Sequence, residues 1–348
     1  MSVELSPAEY AAVKPRLGFA GLGWIGEQRM RALADAGIAD IVAVCEPDPV
    51  RLRGACSALP QQPAVCRSFE ELLEQPLEGI VIATPNALHE PQAAAAMERD
   101  LATFSQKPLA LSGSGTARLL ELARKKNLPL GVDWSYRYLA GVPELKRRIE
   151  QGEIGEVTAA EMSFHNAYGP DAAWYYQLSS AGGGCLLDLG CHLLDLCHWL
   201  LGARGPQNVR ARCFSQGKLL PPPVSEAEDF VMADIDYASG QHLHLSCSWR
   251  ASAGCGAVIG CRIFGTGGGA EIRNVGGSFY DFEVALHHGA DSLVLAAPPD
   301  PWSGRALLDW TRRLGSGAGC DEDVEHLATT ATLIDSIYGR DGGASGAS

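Results

Sequence analysis

The sequence predicts an α/β protein in two parts: an N-terminal doubly wound parallel sheet, then an α+β part with an open, mostly antiparallel sheet. Between residues 16 and 134 short apolar runs alternate with helical patterns, which is typical of a parallel sheet covered by helices. Further along, apolar residues recur with a period of two, as in half-buried strands. The predicted domains are residues 1–135 and 136–340, and residues 341–348 form a disordered tail.

The first domain is built from strands that are each followed by a helix. Gly37 is a natural stop for the first helix, and Ser68 to Glu71 form a capping box that opens a short one. The predicted strands are residues 16–20, 41–45 and 79–83. The first predicted helix ends at Ala36, and the other main predicted helices span residues 49–59, 89–97 and 116–126.

A glycine-rich turn, GLGWIG, joins the first strand to the first helix. Gly21 permits a tight turn, Gly23 lets the backbone approach a pyrophosphate, and Gly26 allows close helix–strand packing. Glu46 ends the second strand at the spacing expected for a carboxylate that binds the adenosine ribose. The pattern predicts a Rossmann domain that binds NAD, although Arg51 and Arg53 lie close enough to leave NADP possible. The predicted cofactor contacts in this region are Gly21, Gly23, Trp24, Ile25, Gly26, Glu46 and Arg51.

Two loops at the carboxyl ends of later strands, residues 83–90 and 105–108, are expected beside the nicotinamide. The two loops are also compatible with ordinary proline-containing turns that have no role in binding. Their predicted cofactor contacts are Thr84, Pro85, Asn86, His89, Gln106 and Lys107.

The second domain begins with a helix near residues 141–151 and continues as strands. The alternating runs are residues 156–164, 229–237 and 241–249. Few helices are available to cover such a sheet, so one face is expected to meet a partner subunit in a homodimer or homotetramer.

A polar stripe on an apolar helix is the most unusual feature of the chain. In the stretch GGGCLLDLGCHLLDLCH, Asp188, His192 and Asp195 are spaced i, i+4, i+7 on one helix face. One helix cannot direct all of its cysteine, aspartate and histidine side chains at one ion, and HExxH and CxxC motifs are missing, so no metal is predicted. The stripe is either an Asp–His pair that ties the helix to its neighbours or a proton-transfer dyad.

Composition excludes several classes of partner. The 348 residues carry 28 Lys and Arg against 41 Asp and Glu, a net charge of −13, which disfavours nucleic acid and anionic membranes. No apolar run approaches about 20 residues, so no membrane span is expected. The amino terminus lacks a signal-peptide pattern and the 11 cysteines form no CxxC pair, so a cytoplasmic protein with reduced thiols is expected.

The chain resembles the glucose–fructose oxidoreductase/inositol dehydrogenase/MocA (Gfo/Idh/MocA) family from about Arg16 to Gly339. The resemblance rests on the order and spacing of GLGWIG, TPNALHE, QKP, QGEIGEV, GGGCLLDLGCHLLDL and EDFVMADIDYASG. It implies a nicotinamide cofactor and oxidation or reduction at a ring carbon of a sugar or cyclitol. By this resemblance Lys107, Asp188 and His192 are the catalytic residues, which also bind the substrate, and Asp195 is structural.

The implied chemistry suits these residue types. His192 exchanges the hydroxyl proton as acid or base, Asp188 orients the histidine or the substrate hydroxyl, and Lys107 donates to the same oxygen. Gln106 replaces the glutamate usual in the family, which predicts a lysine that is easier to deprotonate than in relatives. Arg29 stands where many relatives have histidine and is expected to be peripheral.

Substrate contacts are predicted in two aromatic-rich segments, residues 133–138 and 164–176. The candidates are Trp134, Arg137 and His165, because aromatic faces suit sugar C–H surfaces and polar groups bind hydroxyls. Trp174, Tyr175 and Tyr176 are equally compatible with substrate contact and with core or interface packing.

Three functions are compatible with these features. The leading one is an NAD(P)-dependent dehydrogenase or reductase acting on CH–OH groups. The alternatives are a lyase or glycosidase that retains NAD for transient oxidation, and a non-enzymatic regulator that senses NAD.

Overall fold

The computed structural model describes residues 14–57, 59–202, 205–321 and 324–340. The amino-terminal stretch without a signal pattern lies almost wholly outside these residues, as does the predicted tail at 341–348.

The N-terminal sheet is parallel and has six strands in the order β3-β2-β1-β4-β5-β6. The reversal of strand order between β1 and β4 creates the crevice in which doubly wound folds bind ligands. Its strands are β1 (Arg16–Ala20), β2 (Asp40–Cys45), β3 (Ala64–Cys66), β4 (Gly79–Ile82), β5 (Ala102–Ser105) and β6 (Leu130–Val132). Its helices are α1 (Trp24–Ala36), α2 (Pro49–Ser57), α3 (Phe69–Leu73), α4 (His89–Glu98) and α5 (Gly113–Lys126).

Local sequence explains these elements well. All four residues of β4 are buried, as expected for a strand covered on both faces. Gly37 ends α1 in the left-handed region at φ 63°, and the Ser68 hydroxyl accepts a bond from the amide of Glu71 at the start of α3.

The second sheet has nine strands in the order β15-β14-β13-β12-β7-β11-β10-β8-β9. Every described pair is antiparallel except β7 with β11, which confirms the mostly antiparallel prediction. The strands are β7 (Val157–Asn166), β8 (Pro206–Ser215), β9 (Lys218–Leu220), β10 (Phe230–Tyr237), β11 (His242–Ser248), β12 (Ala257–Gly265), β13 (Gly269–Asn274), β14 (Phe282–His288) and β15 (Asp291–Ala296).

Helices cover one face of this sheet and join it to the first domain. They are α6 (Val142–Glu150), α7 (Leu178–Ala181), α8 (Cys191–Leu201), α9 (Arg305–Gly315) and α10 (Glu325–Tyr338). Helix α10 packs on both α8 and α5. Helix α9 returns to the first domain, where Trp310 meets Phe104 with 5.7 Å between ring centroids. Helix α9 therefore contributes to the core of the N-terminal sheet although it follows residue 135 in the chain. The boundary between the two domains at residue 135 stays a prediction.

The polar stripe is interrupted by a π-helical turn, Leu186–Gly190, directly before α8. The i, i+4, i+7 alignment assumed a continuous α-helix, and the wider turn changes the directions of the side chains on either side. The helical stretch Leu178–Leu201 is long and apolar enough to cross a membrane, contrary to our reading of the sequence. Because 78% of its most apolar window is buried inside the fold, it is better described as a core helix.

Candidate active site

A cavity of about 810 Å³ opens between the carboxyl ends of β1, β2, β4 and β5 and the second domain. Its floor is the glycine turn. A Cβ at Gly21 would lie 2.5 Å from the carbonyl oxygen of Ala83, and one at Gly26 would lie 2.2 Å from that of Gly21. A Cβ at Gly23 would meet only the Arg51 side chain, at 3.8 Å. The turn therefore has no space for a side chain at Gly21 and Gly26, where it packs against neighbouring backbone. It has open space at Gly23, directly before α1, which suits a pyrophosphate at the helix N-terminus.

Glu46 lies at the end of β2 with its carboxylate held by backbone amides. Leu22 N donates to Oε2 at 2.7 Å and Asp48 N donates to Oε1 at 3.0 Å. The remaining lone pairs of this carboxylate suit ribose hydroxyls. Arg51 and Arg67 also line this end of the cavity, so cations are available beside Glu46.

The two predicted strand-end loops are tied together by His89. Its ring nitrogens lie 2.7 Å from the carbonyl oxygens of Pro108 and Thr84, and burial lowers its pKa. Asn86 donates to the carbonyl oxygen of Ala181 at 2.9 Å. The predicted cofactor contacts on the wall of the cavity are Gly21, Gly23, Trp24, Ile25, Glu46, Arg51, Thr84, Pro85, Asn86, His89, Gln106 and Lys107, whereas Gly26 packs behind the turn and is not part of the wall. A neutral imidazole donates to only one of these carbonyl oxygens, but each ring nitrogen of His89 faces a backbone oxygen of one loop, so His89 positions the loops.

Lys107 enters the cavity from the loop after β5 and is held by Asp188. Its Nζ donates to the Asp188 carbonyl oxygen at 2.5 Å and to Oδ1 at 3.0 Å. Burial by itself would lower the pKa of Lys107, but the Asp188 carboxylate, with smaller effects of Cys191 and Tyr175, raises it above the ordinary value. Whatever the effect of Gln106 relative to the family, Lys107 is an ammonium group at neutral pH.

Asp188 does not orient His192, which corrects one of the two roles expected for it. Its Oδ2 accepts from Trp249 Nε1 at 3.0 Å while Oδ1 accepts from Lys107. The widened π turn directs Asp188 at the lysine. The aspartate–histidine dyad considered from the sequence is therefore replaced by an aspartate–lysine pair beside a separate histidine.

His192 lines the cavity and is packed edge-on against Tyr136, with 5.0 Å between ring centroids. Its Nδ1 is buried and has no hydrogen-bond partner among the described residues, so Nε2 is the nitrogen able to reach a ligand. Burial, with added repulsion from Lys107 and Arg29, lowers the pKa of His192 well below its ordinary value. The imidazole is therefore neutral at physiological pH, as a proton acceptor must be.

Arg29 is not peripheral, contrary to expectation, because it lines the cavity and is almost fully buried. Its Nε donates to Asp133 Oδ2 at 2.6 Å, and its other nitrogens donate to Ser303 and Ser135. Gln106 donates to the same Asp133 oxygen at 2.5 Å. A glutamate at position 106 would place two carboxylates in contact, so glutamine is the residue type that fits Asp133.

Besides the catalytic residues, three residues were predicted to bind the substrate, and all three lie outside the lining of this cavity. Arg137 forms a buried bidentate pair with Asp195, which supports a structural role for the aspartate and engages the arginine away from the cavity. His165 bonds Ser248 through Nδ1 at 2.8 Å. Trp134 packs edge-on against His192 but does not line the cavity. Local aromatic content did not reveal which side chains face inward.

The aromatic residues that line the cavity come partly from the two predicted aromatic-rich segments and partly from segments that sequence reasoning missed. Trp174 and Tyr175, for which the sequence left both interpretations open, line it as a stacked pair with ring centroids 3.9 Å apart. Tyr136, Phe164, Phe279, Tyr280 and Trp302 also line it. Tyr136, Phe164, Trp174 and Tyr175 lie in the two segments predicted to contact substrate. Phe279, Tyr280 and Trp302 come from segments far along the chain, where no local signal grouped them with the site.

Comparison with known proteins identifies the family. The NAD-binding Rossmann profile of the oxidoreductase family matches residues 16–134, and the GFO/IDH/MocA C-terminal domain profile matches residues 142–271. The chain belongs to the Gfo/Idh/MocA oxidoreductase family. As a member it is an NAD(P)-dependent oxidoreductase of the type that acts on CH–OH groups, and its glycine turn and Glu46 fit that cofactor.

Relatives of this Gfo/Idh/MocA protein include enzymes with different substrates. A dTDP-3,4-didehydro-2,6-dideoxy-alpha-D-glucose 3-reductase from Saccharopolyspora spinosa is 29% identical over 53% of this chain and 55% of its own length. An inositol 2-dehydrogenase from Salmonella paratyphi B is 27% identical over 80% of this chain and 79% of its own. A levoglucosan dehydrogenase, solved with NADH and L-sorbose, superimposes with a TM-score of 0.77 at 20% identity, covering 94% and 97% of the two chains. The last similarity shows the shared fold.

Proposed function

We propose that the protein transfers a hydride between NAD(P) and a ring carbon of a sugar or cyclitol, interconverting a secondary alcohol and a ketone. The observation that carries this proposal is that a neutral histidine and a lysine ammonium line the same cavity as the dinucleotide turn. When bound, the nicotinamide supplies the hydride acceptor or donor.

The chain's own residues divide the remaining work. His192 accepts the hydroxyl proton through Nε2 during oxidation and returns it during reduction. Lys107 uses two of its three N–H bonds on Asp188, which leaves one to donate to the reacting oxygen and stabilise its negative charge. Asp188, anchored by Trp249, is a positioning residue for the lysine.

Gly21, Gly23 and the first turn of α1 would hold the pyrophosphate, and Glu46 would bind the adenosine ribose. A carboxylate at this point repels a 2′-phosphate, so we propose NAD as the preferred cofactor. Arg51 would accommodate NADP as the weaker alternative.

We also propose a cytoplasmic homodimer or homotetramer that associates through the uncovered face of the nine-stranded sheet. Met232 and Phe264 are 42% and 43% exposed, and alternate residues of their strands are buried on the helical side. The eleven cysteines are all free, which supports a reducing compartment.

The test is turnover of sugars and cyclitols with purified protein, followed by NADH absorbance. His192→Ala and Lys107→Ala should each lower kcat at least about 10²-fold while the Kd for NAD stays within about twofold. His287→Ala, which changes a histidine bonded to Ser292 away from the cavity, is the matched control and should retain full activity.

Near-normal kcat in both active-site variants would overturn the mechanism. Cleavage of a glycoside without net NADH formation would instead identify the lyase or glycosidase alternative, and NAD binding without turnover of any substrate would identify the regulator.

A further inference from the structure

The substrate end of the cavity, beside Lys107 and His192, is walled mainly by aromatic rings. Trp174 and Tyr175 line it as a pair of stacked rings. Tyr136 lies 5.0 Å from His192 and 5.5 Å from Trp302 between ring centroids. Aromatic faces of this kind stack on the C–H surface of a sugar ring and exclude water from it.

Both cations at the substrate end are already paired with carboxylates. Lys107 contacts Asp188 at 3.0 Å, and the side chains of this pair are each 17% exposed. Arg29 contacts Asp133 at 2.6 Å, with side chains 5% and 0% exposed. His192 adds no charge, because it is neutral.

The other cations lie elsewhere. Arg51 and Arg67, the remaining basic residues lining the cavity, follow β2 and β3 at the end that holds Glu46. Arg250 lies outside the described lining, where its guanidinium stacks on Tyr176 at 5.5 Å and donates to the Tyr176 hydroxyl. Within the described lining, an anionic group at the substrate end would therefore find no cation without a carboxylate partner.

We propose that the substrate end selects an uncharged carbohydrate or cyclitol and discriminates against phosphorylated, uronate and nucleotide-linked sugars. This inference rests on the proposed function and names its substrate class. An anionic group entering this end would lose its hydration without gaining a free cation, which opposes binding, whereas hydroxyl groups exchange hydrogen bonds at little net cost. The Saccharopolyspora relative, by its name, acts on a nucleotide-linked sugar, so the proposal separates this chain from it.

The experiment compares matched substrates that differ only in charge, with the purified full chain and both cofactors. Glucose is tested against glucose 6-phosphate, glucuronate and UDP-glucose, and myo-inositol against inositol monophosphate, with kcat/KM read from NADH formation. The expected result is a value at least about 10²-fold higher for the neutral member. Equal or better turnover of the anionic members overturns the inference and leaves the proposed function standing. Absence of NADH formation with every compound, while NADH still binds, overturns the proposed function and the inference with it.

Two substitutions test the physical cause. Ala172→Arg introduces an unpaired cation in the cavity wall and should reduce the neutral-over-anionic ratio at least about tenfold. Trp174→Ala should raise KM for the neutral sugar about tenfold with a smaller change in kcat, and Trp174→Phe should largely restore it. Tyr168→Ala, in the same segment but 68% exposed and outside the lining, is the control and should leave kinetics unchanged. If Ala172→Arg and Trp174→Ala both match the control, charge and aromatic stacking do not set the selectivity.

Discussion

Arg29 provides the sharpest test of how this site is held together, and the perturbation is Arg29→Met. Methionine keeps much of the side-chain volume and removes the charge. In the wild-type protein Arg29 Nε lies 2.6 Å from Asp133 Oδ2, and both side chains are at most 5% exposed. The substitution therefore leaves a buried carboxylate whose remaining partners are neutral, Gln106 and Ser135.

The magnitude follows from that burial. Removing one partner of a buried ion pair typically costs about 3–5 kcal/mol, because the other charge is left uncompensated. The lost bonds from Arg29 to Ser303 and Ser135 act in the same direction. Folded proteins of this kind have a free energy of unfolding of about 5–15 kcal/mol, so the loss is a large part of the total.

The assay is equilibrium unfolding in urea at pH 7, followed by tryptophan fluorescence and far-UV circular dichroism. Arg31→Met, two residues along the same helix, is the matched control. Arg31 pairs with Glu27 at 2.5 Å, but their side chains are 54% and 31% exposed, so its loss should cost less than about 1 kcal/mol. The double variant Arg29→Met/Asp133→Asn should be more stable than the sum of the two single losses predicts, since it removes both charges together.

Two results would refute this reasoning. The first is an Arg29→Met variant that unfolds within about 1 kcal/mol of the Arg31→Met control. The second is a double variant whose loss equals the sum of its single losses, because additivity would mean that Arg29 and Asp133 are not energetically coupled.

Two further predictions concern the cofactor and pH. Glu46→Ala should weaken NAD binding and narrow the preference for NAD over NADP, measured by nucleotide titration of intrinsic fluorescence; an unchanged preference would mean that another group reads the ribose. Burial raises the pKa of Glu228 to about 7 from an ordinary value of 4.5, despite bonds from the amides of Gly184 and Leu186 and from the Tyr338 hydroxyl. The folded state therefore binds this proton more tightly, and its contribution to stability is complete below about pH 4.5 and is lost as pH rises through 7. The free energy of unfolding should fall by about 3 kcal/mol over that window, and Glu228→Gln should flatten the slope; an identical slope in the variant would assign the pH dependence to another group.

The cofactor half of the site could be predicted from the sequence because its residues are close together in the chain. Gly21, Gly23, Gly26 and Glu46 belong to consecutive elements, and their roles follow from backbone geometry at one strand-to-helix turn. The strand and helix periodicities likewise reflect which residues must be buried, so both sheets were predictable. The assignment of Lys107, Asp188 and His192 as catalytic residues came from family resemblance. The spacing of Asp188 and His192 alone was also compatible with a structural pair.

The tertiary structure decided which side chains meet. A π-helical turn set the direction of Asp188 and joined it to Lys107, while Arg137 satisfied Asp195 inside the core. Arg29 became part of the cavity wall because Asp133, from a strand end about a hundred residues later, needs a buried cation. Local sequence determines backbone conformation and burial through short-range sterics and periodicity. The pairing of buried charges and the choice of inward-facing aromatic rings depend on segments that meet only when the two domains fold together, and no local pattern contains that information.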